Sequence, residues 1–465
     1  MSTRSSHGVA HDPHERPSGA EVTADLVRST YSTGGTFKLI AIVLAVLTVL
    51  GVVGVILKFI NYGDDQTRWG YVVAAMVFVL TAGTGAPMVA IAPALAKANW
   101  IRPVTRIAAL FSVTGIVSSL MLIPILFMLP PLITQGARRR SIWFEGPDYS
   151  PHIWGMIALL GLTLAGLGLL YSSALPDLAA MRDHATGWRQ RWGKRLARGF
   201  IGTEGQWRTL RLRIGMFGTL YFLLLVFTHF LISTDIGQSM VAGWRDAIFP
   251  MYHAMTSIQA GVAGTILVMW IARRFGGMDR YLHLDQFWSL GKLLFATSLL
   301  WFYFFISAFM VYWYGRAGAD KLWLDLLIRG PMIWAFLGAF TFSFFVPWWF
   351  LIWNRTRTSI NGPAIAAVIV LFGALLDRMR LYVPAWSVDP TRIHERFLTE
   401  IPTTQWPDIF DILIFVGGIS AAILLYMLAT RLIPIVSIWE VHQSNLLSRP
   451  AKFIRGHGVL VAKPD

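Results

Sequence analysis

Uninterrupted runs of twenty or more apolar residues recur along the chain, and each is long enough to cross a hydrocarbon core of roughly 30 Å as a helix. A loop or open strand edge in that core would leave backbone N–H and C=O groups without partners, so such runs fold as membrane-spanning helices. Ten spans are read, over residues 37–60, 69–96, 104–134, 152–174, 212–233, 247–272, 288–315, 327–353, 362–385 and 408–436. Only 14% of the 465 residues are charged, against roughly 25% in soluble domains. The fold class is therefore an all-α polytopic membrane protein.

Residues 1–35 are rich in Ser, His, Gly, Pro and charge without an apolar core, and read as a disordered cytoplasmic tail rather than a signal peptide. Residues 36–440 form the membrane domain, and 441–465 a second cytoplasmic tail. The net charge of +15 could indicate nucleic acid, but the basic residues sit in the loops between spans. The tails and even-numbered loops hold 25 Lys and Arg, the odd-numbered loops 10. The positive-inside rule then places both termini in the cytoplasm of a bacterial inner membrane, and nucleic acid is not a partner. The longest basic loop, 178–213, interleaves Arg189, Arg191, Lys194, Arg195 and Arg198 with Trp188, Trp192 and Phe200, as a segment lying on an anionic leaflet or a docking surface would. Trp143, Trp154, Trp323, Trp348 and Trp349 read as an interfacial belt.

Ionisable groups inside the bilayer are costly, so each is a functional candidate unless it reaches out from a helix end. Lys58 and Arg431 read as snorkelling residues, which leaves His229, Asp235, His253, Lys292, Asp377, Arg378 and Arg380. With the N-terminus inside, the fifth span runs outward and brings His229 and Asp235 to the outer interface, followed by Arg245 in the loop. The ninth span brings Asp377, Arg378 and Arg380 to the same level. An imidazole beside a carboxylate can accept protons from a quinol hydroxyl; an ion-pair network sealing helix ends is the structural alternative. His253, among Met251, Tyr252 and Met255, reads as a hydrogen-bonded core histidine. Asp285 and Lys292 open the seventh span on the cytoplasmic side, either as a proton-entry relay or as a static or snorkelling pair. The chain has no cysteine, so thiolate-held iron–sulfur clusters and covalent haem belong to a partner. Its two intramembrane histidines lie near one edge, and no haem or metal is expected.

Residues 229–252 (HFLISTDIGQSMVAGWRDAIFPMY), 285–315 (DQFWSLGKLLFATSLLWFYFFISAFMVYWYG), 375–386 (LLDRMRLYVPAW), 402–413 (PTTQWPDIFDIL) and 431–440 (RLIPIVSIWE) occur in an order that resembles the NrfD/polysulfide-reductase membrane subunits. Within them the likeness is to the ActC and ActF subunits of alternative complex III. It covers most of residues 205–440. The resemblance implies two four-helix bundles, spans two to five and six to nine, flanked by spans one and ten. It implies an outer-face iron–sulfur partner, other membrane subunits, a menaquinone or ubiquinone substrate and coupling to proton movement. It also puts the family's functional positions on His229, Asp235, Asp377 and Arg378, with Asp285 and Lys292 matching the opening of the seventh span.

Certain positions depart from that pattern. The third span ends with Phe127 and Pro130 where quinol-active members carry His and Arg, and Arg245 replaces a His. Three functions follow. The leading one is a quinone-reactive subunit with a lipid-side pocket near the outer ends of spans three to five, reached by His229. The second is a structural or proton-conducting companion subunit without its own quinone site. The third is a secondary transporter, for which Gly83, Gly85 and Pro87 offer a helix break, although close helix packing explains them equally well.

Overall fold

The computed structural model of the chain describes residues 17–31, 33–134, 136–142, 150–315, 317–453 and 456–461. In chain order the helices are α1 (Gly19–Ser29), α2 (Gly35–Tyr62), α3 (Gly70–Thr84), α4 (Pro87–Leu95), α5 (Arg102–Leu110), α6 (Thr114–Met128), α7 (Ser150–His184), α8 (Gly187–Leu196) and α9 (Glu204–Ile232). They continue as α10 (Phe249–Phe275), α11 (Leu284–Gly315), α12 (Lys321–Ile328), α13 (Ile333–Phe340), α14 (Val346–Leu351), α15 (Asn354–Arg357), α16 (Asn361–Trp386), α17 (Ile409–Leu432) and α18 (Ile438–Leu447). Two short antiparallel hairpins, Ile133–Thr134 with Ala137–Arg138 and Ser448–Phe453 with Gly456–Val461, complete the described elements.

Among the described residues nine helical segments are long and apolar enough to cross a membrane, several of them built from two consecutive helices. The 26-residue α16 is of similar length but carries Asp377, Arg378 and Arg380, a load of charge that only a helix inside the protein can bear. α16 packs against α3, α10 and α13, and α3 against α10 and α6, so α3, α10 and α16 form the centre. α2 is the opposite case. Most of its surface faces outward, with Leu39, Ile42 and Ile60 all more than 60% exposed, and its partner is α17. At their crossing a Cβ on Gly51 would lie 2.7 Å from the Cα of Gly417, so only glycine permits this approach.

Several sequence expectations are corrected. Lys58 does not snorkel: it is fully buried, and its Nζ donates to Asp408 Oδ2 at 2.9 Å and Asp411 Oδ1 at 2.6 Å. A buried ammonium needs such partners, and the two carboxylates of the α17 N-terminus supply them. Part of the tail expected to be disordered is ordered, since 19–29 forms α1 with a Ser18–Glu21 capping box and buries Val22, Leu26 and Val27 on one face. Residues 1–16 lie outside the described residues, as do Trp143 and Arg316. The second tail begins with α18 and the Ser448–Phe453 hairpin. Trp323 is no belt residue: it is buried against Trp244 and Tyr312, and its indole N–H donates to Asp320. In the basic loop, Arg189 donates to the Thr30 carbonyl at 2.6 Å and stacks on Tyr31, so part of that charge holds α1 in place. Arg431 likewise donates to the Ser29 carbonyl and lies over Phe37.

Candidate functional site

The site is built where α9, α10 and α16 meet the break between α3 and α4. A Cβ on Gly85 would fall 1.7 Å from the Ser257 carbonyl oxygen, and one on Gly261 only 2.2 Å from the Gly85 carbonyl carbon. Two backbones thus touch at this point, and the span is both interrupted at Gly85–Ala86 and closely packed. The contact turns Thr84 toward α10 and α9. Its Oγ1 lies 3.3 Å from Ser257 Oγ and 3.2 Å from His229 Nε2.

From His229 a hydrogen-bonded chain runs through the protein interior. His229 Nδ1 lies 2.8 Å from His253 Nδ1, and His253 Nε2 lies 2.8 Å from the Tyr382 hydroxyl. All three side chains are buried. In an Nδ1···Nδ1 contact one ring must carry the hydrogen and the other present a lone pair, so both rings cannot be imidazolium together. Reversing every bond from Thr84 to Tyr382 moves a proton from one end to the other without moving a heavy atom.

Beside this chain sits a charged cluster on α16. Asp377 Oδ1 accepts a short bond from the Tyr252 hydroxyl and one of 2.9 Å from Arg380 Nε, while Arg380 Nη2 reaches the Tyr252 oxygen at 3.0 Å. Arg378 Nη2 lies 3.4 Å from Asp377 Oδ2, close enough for ion pairing but without hydrogen-bond geometry. Among the described residues none of the three guanidinium nitrogens of Arg378 makes a geometrically sound hydrogen bond, although the residue is fully buried. Buried donors of this kind call for water or a ligand oxygen. Tyr252, next to His253 on α10, and Tyr382, one turn beyond Arg378 on α16, join the cluster to the histidine chain.

A cavity of about 40 Å³ opens on the other side of Tyr252 and Arg380. Its walls are aromatic, among them Trp244, Phe249, Phe305, Phe309, Tyr312 and Trp323. Asp246 also faces it, accepting the backbone N–H groups of Ile248 and Phe249 at the start of α10. Burial holds the Asp246 carboxyl above the usual range despite those two bonds.

The structure thus brings His229, His253, Asp377, Arg378 and Arg380 together laterally as well as in depth. Asp235 stands apart from His229, because both ring nitrogens of His229 are taken by His253 and Thr84. A π-turn over Ser233–Gly237 at the end of α9 re-aims the Asp235 carboxylate, which accepts from Ser141 Oγ at 2.8 Å. The cavity lies between α10, α11, α12 and α16 rather than at spans three to five, and neither His229 nor Asp235 lines it. The Arg245 side chain is exposed, and only its carbonyl is used, by Tyr312. Asp285 and Lys292 lie far from the cluster in the fold, both exposed, with the Lys292 ammonium 4.0 Å from the Trp288 ring centroid as in the snorkelling reading.

Sequence reasoning missed Thr84, Tyr252 and Tyr382. The tyrosines are visible only as neighbours of the charged residues, Tyr252 next to His253 and Tyr382 one turn beyond Arg378. It also missed Arg139. This loop residue is 2% exposed and donates Nη1 to the Pro130 carbonyl, leaving Nε and Nη2 without hydrogen bonds. Burial pulls its guanidinium down to about 10, partly offset by Asp235. A cation therefore reaches the position where the third span has Pro130, delivered by the loop folding back.

A second buried cluster lies at the opposite end. Arg106 Nη2 and Asp177 Oδ2, both fully buried, are 3.0 Å apart, and Asp177 also accepts from Ser437 and from the backbone N–H groups of Ile438 and Trp439. It thereby docks the start of α18. Within α18, Glu440 is buried near Arg102, Arg106 and Asp177, and burial pushes its carboxyl up to about 7 from an ordinary 4.5, against the pull of Thr105 and the two arginines. A folded-state value above the unfolded one means that the folded chain binds this proton more tightly. The resulting stability is fully present below about pH 4.5 and is lost as pH rises through about 7. At roughly 1.4 kcal/mol per unit the loss amounts to about 3 kcal/mol. Thermal midpoints of the Glu440→Gln chain should lack this fall between pH 5 and 8; an unchanged pH slope would count against it.

Residues 61–388, more than half of the chain, match the family model described as Polysulphide reductase, NrfD. No match was found among curated proteins. The helical membrane architecture and this match agree: the chain belongs to the NrfD polysulphide reductase family, membrane subunits of quinone-linked oxidoreductase complexes that partner with iron–sulfur subunits.

Proposed function

We propose that this chain is a quinone-reactive membrane subunit of an ActC/ActF-like respiratory complex, working at the end of the bundle that carries His253 and Asp377. The observation that carries this reading is the continuous buried chain Thr84–His229–His253–Tyr382 lying against Asp377, Arg378 and Tyr252. The positive-inside count puts this end outside, where an iron–sulfur partner would dock and accept electrons. Arg380 and Tyr252 would face a quinone oxygen from the floor of the aromatic cavity. Oxidation of a quinol releases two electrons and two protons: Tyr252, backed by Asp377, is placed to take a proton at the cavity wall, and the histidine chain behind it can pass a proton between Tyr382 and Thr84. Arg378 places a second cation 3.4 Å from the Asp377 carboxylate. Menaquinone and ubiquinone present the same oxygen pair to these groups.

The cavity size favours a second reading alongside the first. At about 40 Å³ it is smaller than the roughly 150 Å³ of an apolar cavity that admits benzene, so a quinone ring enters only if aromatic walls such as Phe304 and Phe309 move. A chain that kept it shut would conduct protons for a neighbouring subunit instead. The polar contacts of Trp301 with Thr256 and of Gln259 with Ser298 and the Ser343 carbonyl, deeper between α10 and α11, suit that role.

One set of variants separates the two. In the purified complex, His253→Phe is expected to lower quinol oxidation by about 10²- to 10⁴-fold, the range of a lost acid–base group, with affinity for a quinone analogue unchanged. Ala308→Trp, placed to block the aromatic cavity, should remove that affinity. Unaltered turnover in His253→Phe would overturn the relay. Unaltered analogue binding in Ala308→Trp would leave the companion reading standing.

A further inference from the structure

At the end of the molecule opposite the histidine chain, a cavity of about 360 Å³ lies between α4, α5, α7, α9 and α18. Its inner wall is apolar, formed by Ile91, Leu169 and Ile214 among others, and three cations, Lys97, Arg102 and Arg211, stand around it. The single carboxylate in its lining, Glu440, is pushed up to about 7 by burial and so carries only part of its charge near neutral pH. Arg102 is half-buried and spends Nη1 on Gln443 Oε1, while its Nε has no hydrogen bond among the described residues. Arg211 is exposed and makes no ion pair among the described residues. Leu95 in the lining is 74% exposed, and the neighbouring Leu212 and Met216 of α9 also face outward as lipid-contacting residues. The cavity therefore opens sideways into the bilayer at the level of the basic residues.

We propose that this cavity binds an anionic phospholipid, its phosphate held by Arg102 and Arg211 beside Lys97 and one acyl chain laid along Ile91, Leu169 and Ile214. A phosphate monoanion satisfies the free Arg102 donor and balances a lining with an excess of positive charge. A free phosphate ion would leave the apolar wall uncovered, and a neutral quinone would not balance the charge of Arg102 and Arg211. Gly215 lines the cavity, and a Cβ there would meet nothing within 4 Å, so a large side chain at this position would project into the space. The lipid wedged here would bear on both α9 and α18, and so tie the membrane helices to the segment that follows them. The site is independent of the quinone reading above.

The test is titration of the full-length chain, purified in detergent and stripped of lipid, with phosphatidylglycerol and with phosphatidylcholine of identical acyl chains, followed by native mass spectrometry. Phosphatidylglycerol is expected to bind about tenfold more tightly, given the share of binding each basic residue supplies at a lipid headgroup. Arg102→Gln with Arg211→Gln should abolish the preference, and Gly215→Phe should abolish retention of both lipids while the thermal midpoint in detergent alone stays put. Should the Gly215→Phe chain fail to fold, the double arginine variant decides. Equal retention of the two lipids, or a preference that survives the double variant, would overturn the proposal. So would displacement of phosphatidylglycerol by millimolar inorganic phosphate, which would make the site one for a free anion, or one-for-one displacement by a short-chain quinone.

Discussion

Asp377→Ala is expected to destabilise the chain by about 3–5 kcal/mol, the cost of leaving buried charges without their counter-ion. Arg378 and Arg380 are 0% and 4% exposed, and Asp377 is the carboxylate that faces both. Removing it leaves two guanidiniums and a phenol in the interior, with Arg380 still held over Phe305 and Phe336 but with nothing to neutralise it. The measurement is the thermal midpoint of the purified chain, with Arg378→Met as the control. Arg378 makes no hydrogen bond among the described residues, so deleting it from the Asp377→Ala chain restores part of the lost stability by removing one stranded cation. If the double variant is no more stable than Asp377→Ala alone, Arg378 has a counter-ion elsewhere and the cluster has been misread.

That cluster also shows what the sequence can and cannot reveal. The charged residues of α16 are conspicuous because a hydrophobic run should not contain them, and the same logic isolates His229 and His253. Depth follows from counting residues along a span. Lateral pairing does not, because the rotation of each helix is set by packing, and here it is set by glycine contacts such as Gly85 against Ser257 that no periodicity reports. Spacing therefore sets His229 beside Asp235, six residues on, whereas its partner is His253 on the next helix. The π-turn at Ser233–Gly237 adds to the error by turning Asp235 away from the helical phase that spacing assumes. Loop residues were the other blind spot. Arg139, Arg106 and Asp177 look like ordinary helix-end or loop charges, and only the fold shows that each is buried with a specific partner.

The two clusters work on opposite principles. Arg106 and Asp177 are one cation and one anion, with the remaining oxygens of Asp177 satisfied by Ser437 and two backbone N–H groups. Both oxygens of the anion are satisfied and hold α18 in one place, while Arg106 Nε and Nη1 make no hydrogen bond among the described residues. The Asp377 cluster carries one anion and two cations, with unmade hydrogen bonds on both Arg378 and Asp377 Oδ2. An incomplete polar network in a hydrophobic interior is costly unless mobile water or substrate completes it. What separates the two is charge balance: one cation faces Asp177, and two face Asp377.

The Lys58 clamp sets the position of α2 in a way that apolar contact cannot. Lipid tails are as apolar as leucine, so a helix that faces lipid over most of its surface gains little from exchanging lipid for a neighbouring helix of the same character. α2 has two features that distinguish α17 from lipid: the Gly51–Gly417 contact and the bonds from Lys58 to Asp408 and Asp411. Lys58→Met removes the second and leaves a buried carboxylate, Asp411, without its cation. The expected loss is about 3–5 kcal/mol, seen as a lower thermal midpoint and as faster proteolysis in the Gly63–Asp65 turn once α2 separates. Asp408→Asn should cost far less, because Asp408 is partly exposed and asparagine still caps α17. Lys58→Met together with Asp411→Leu should recover most of the loss, since an apolar pair of similar volume replaces a buried ion pair at little cost. A double variant as unstable as Lys58→Met alone would mean that the clamp contributes geometry rather than charge balance, and that Asp411 matters chiefly as the capping partner of Asp408.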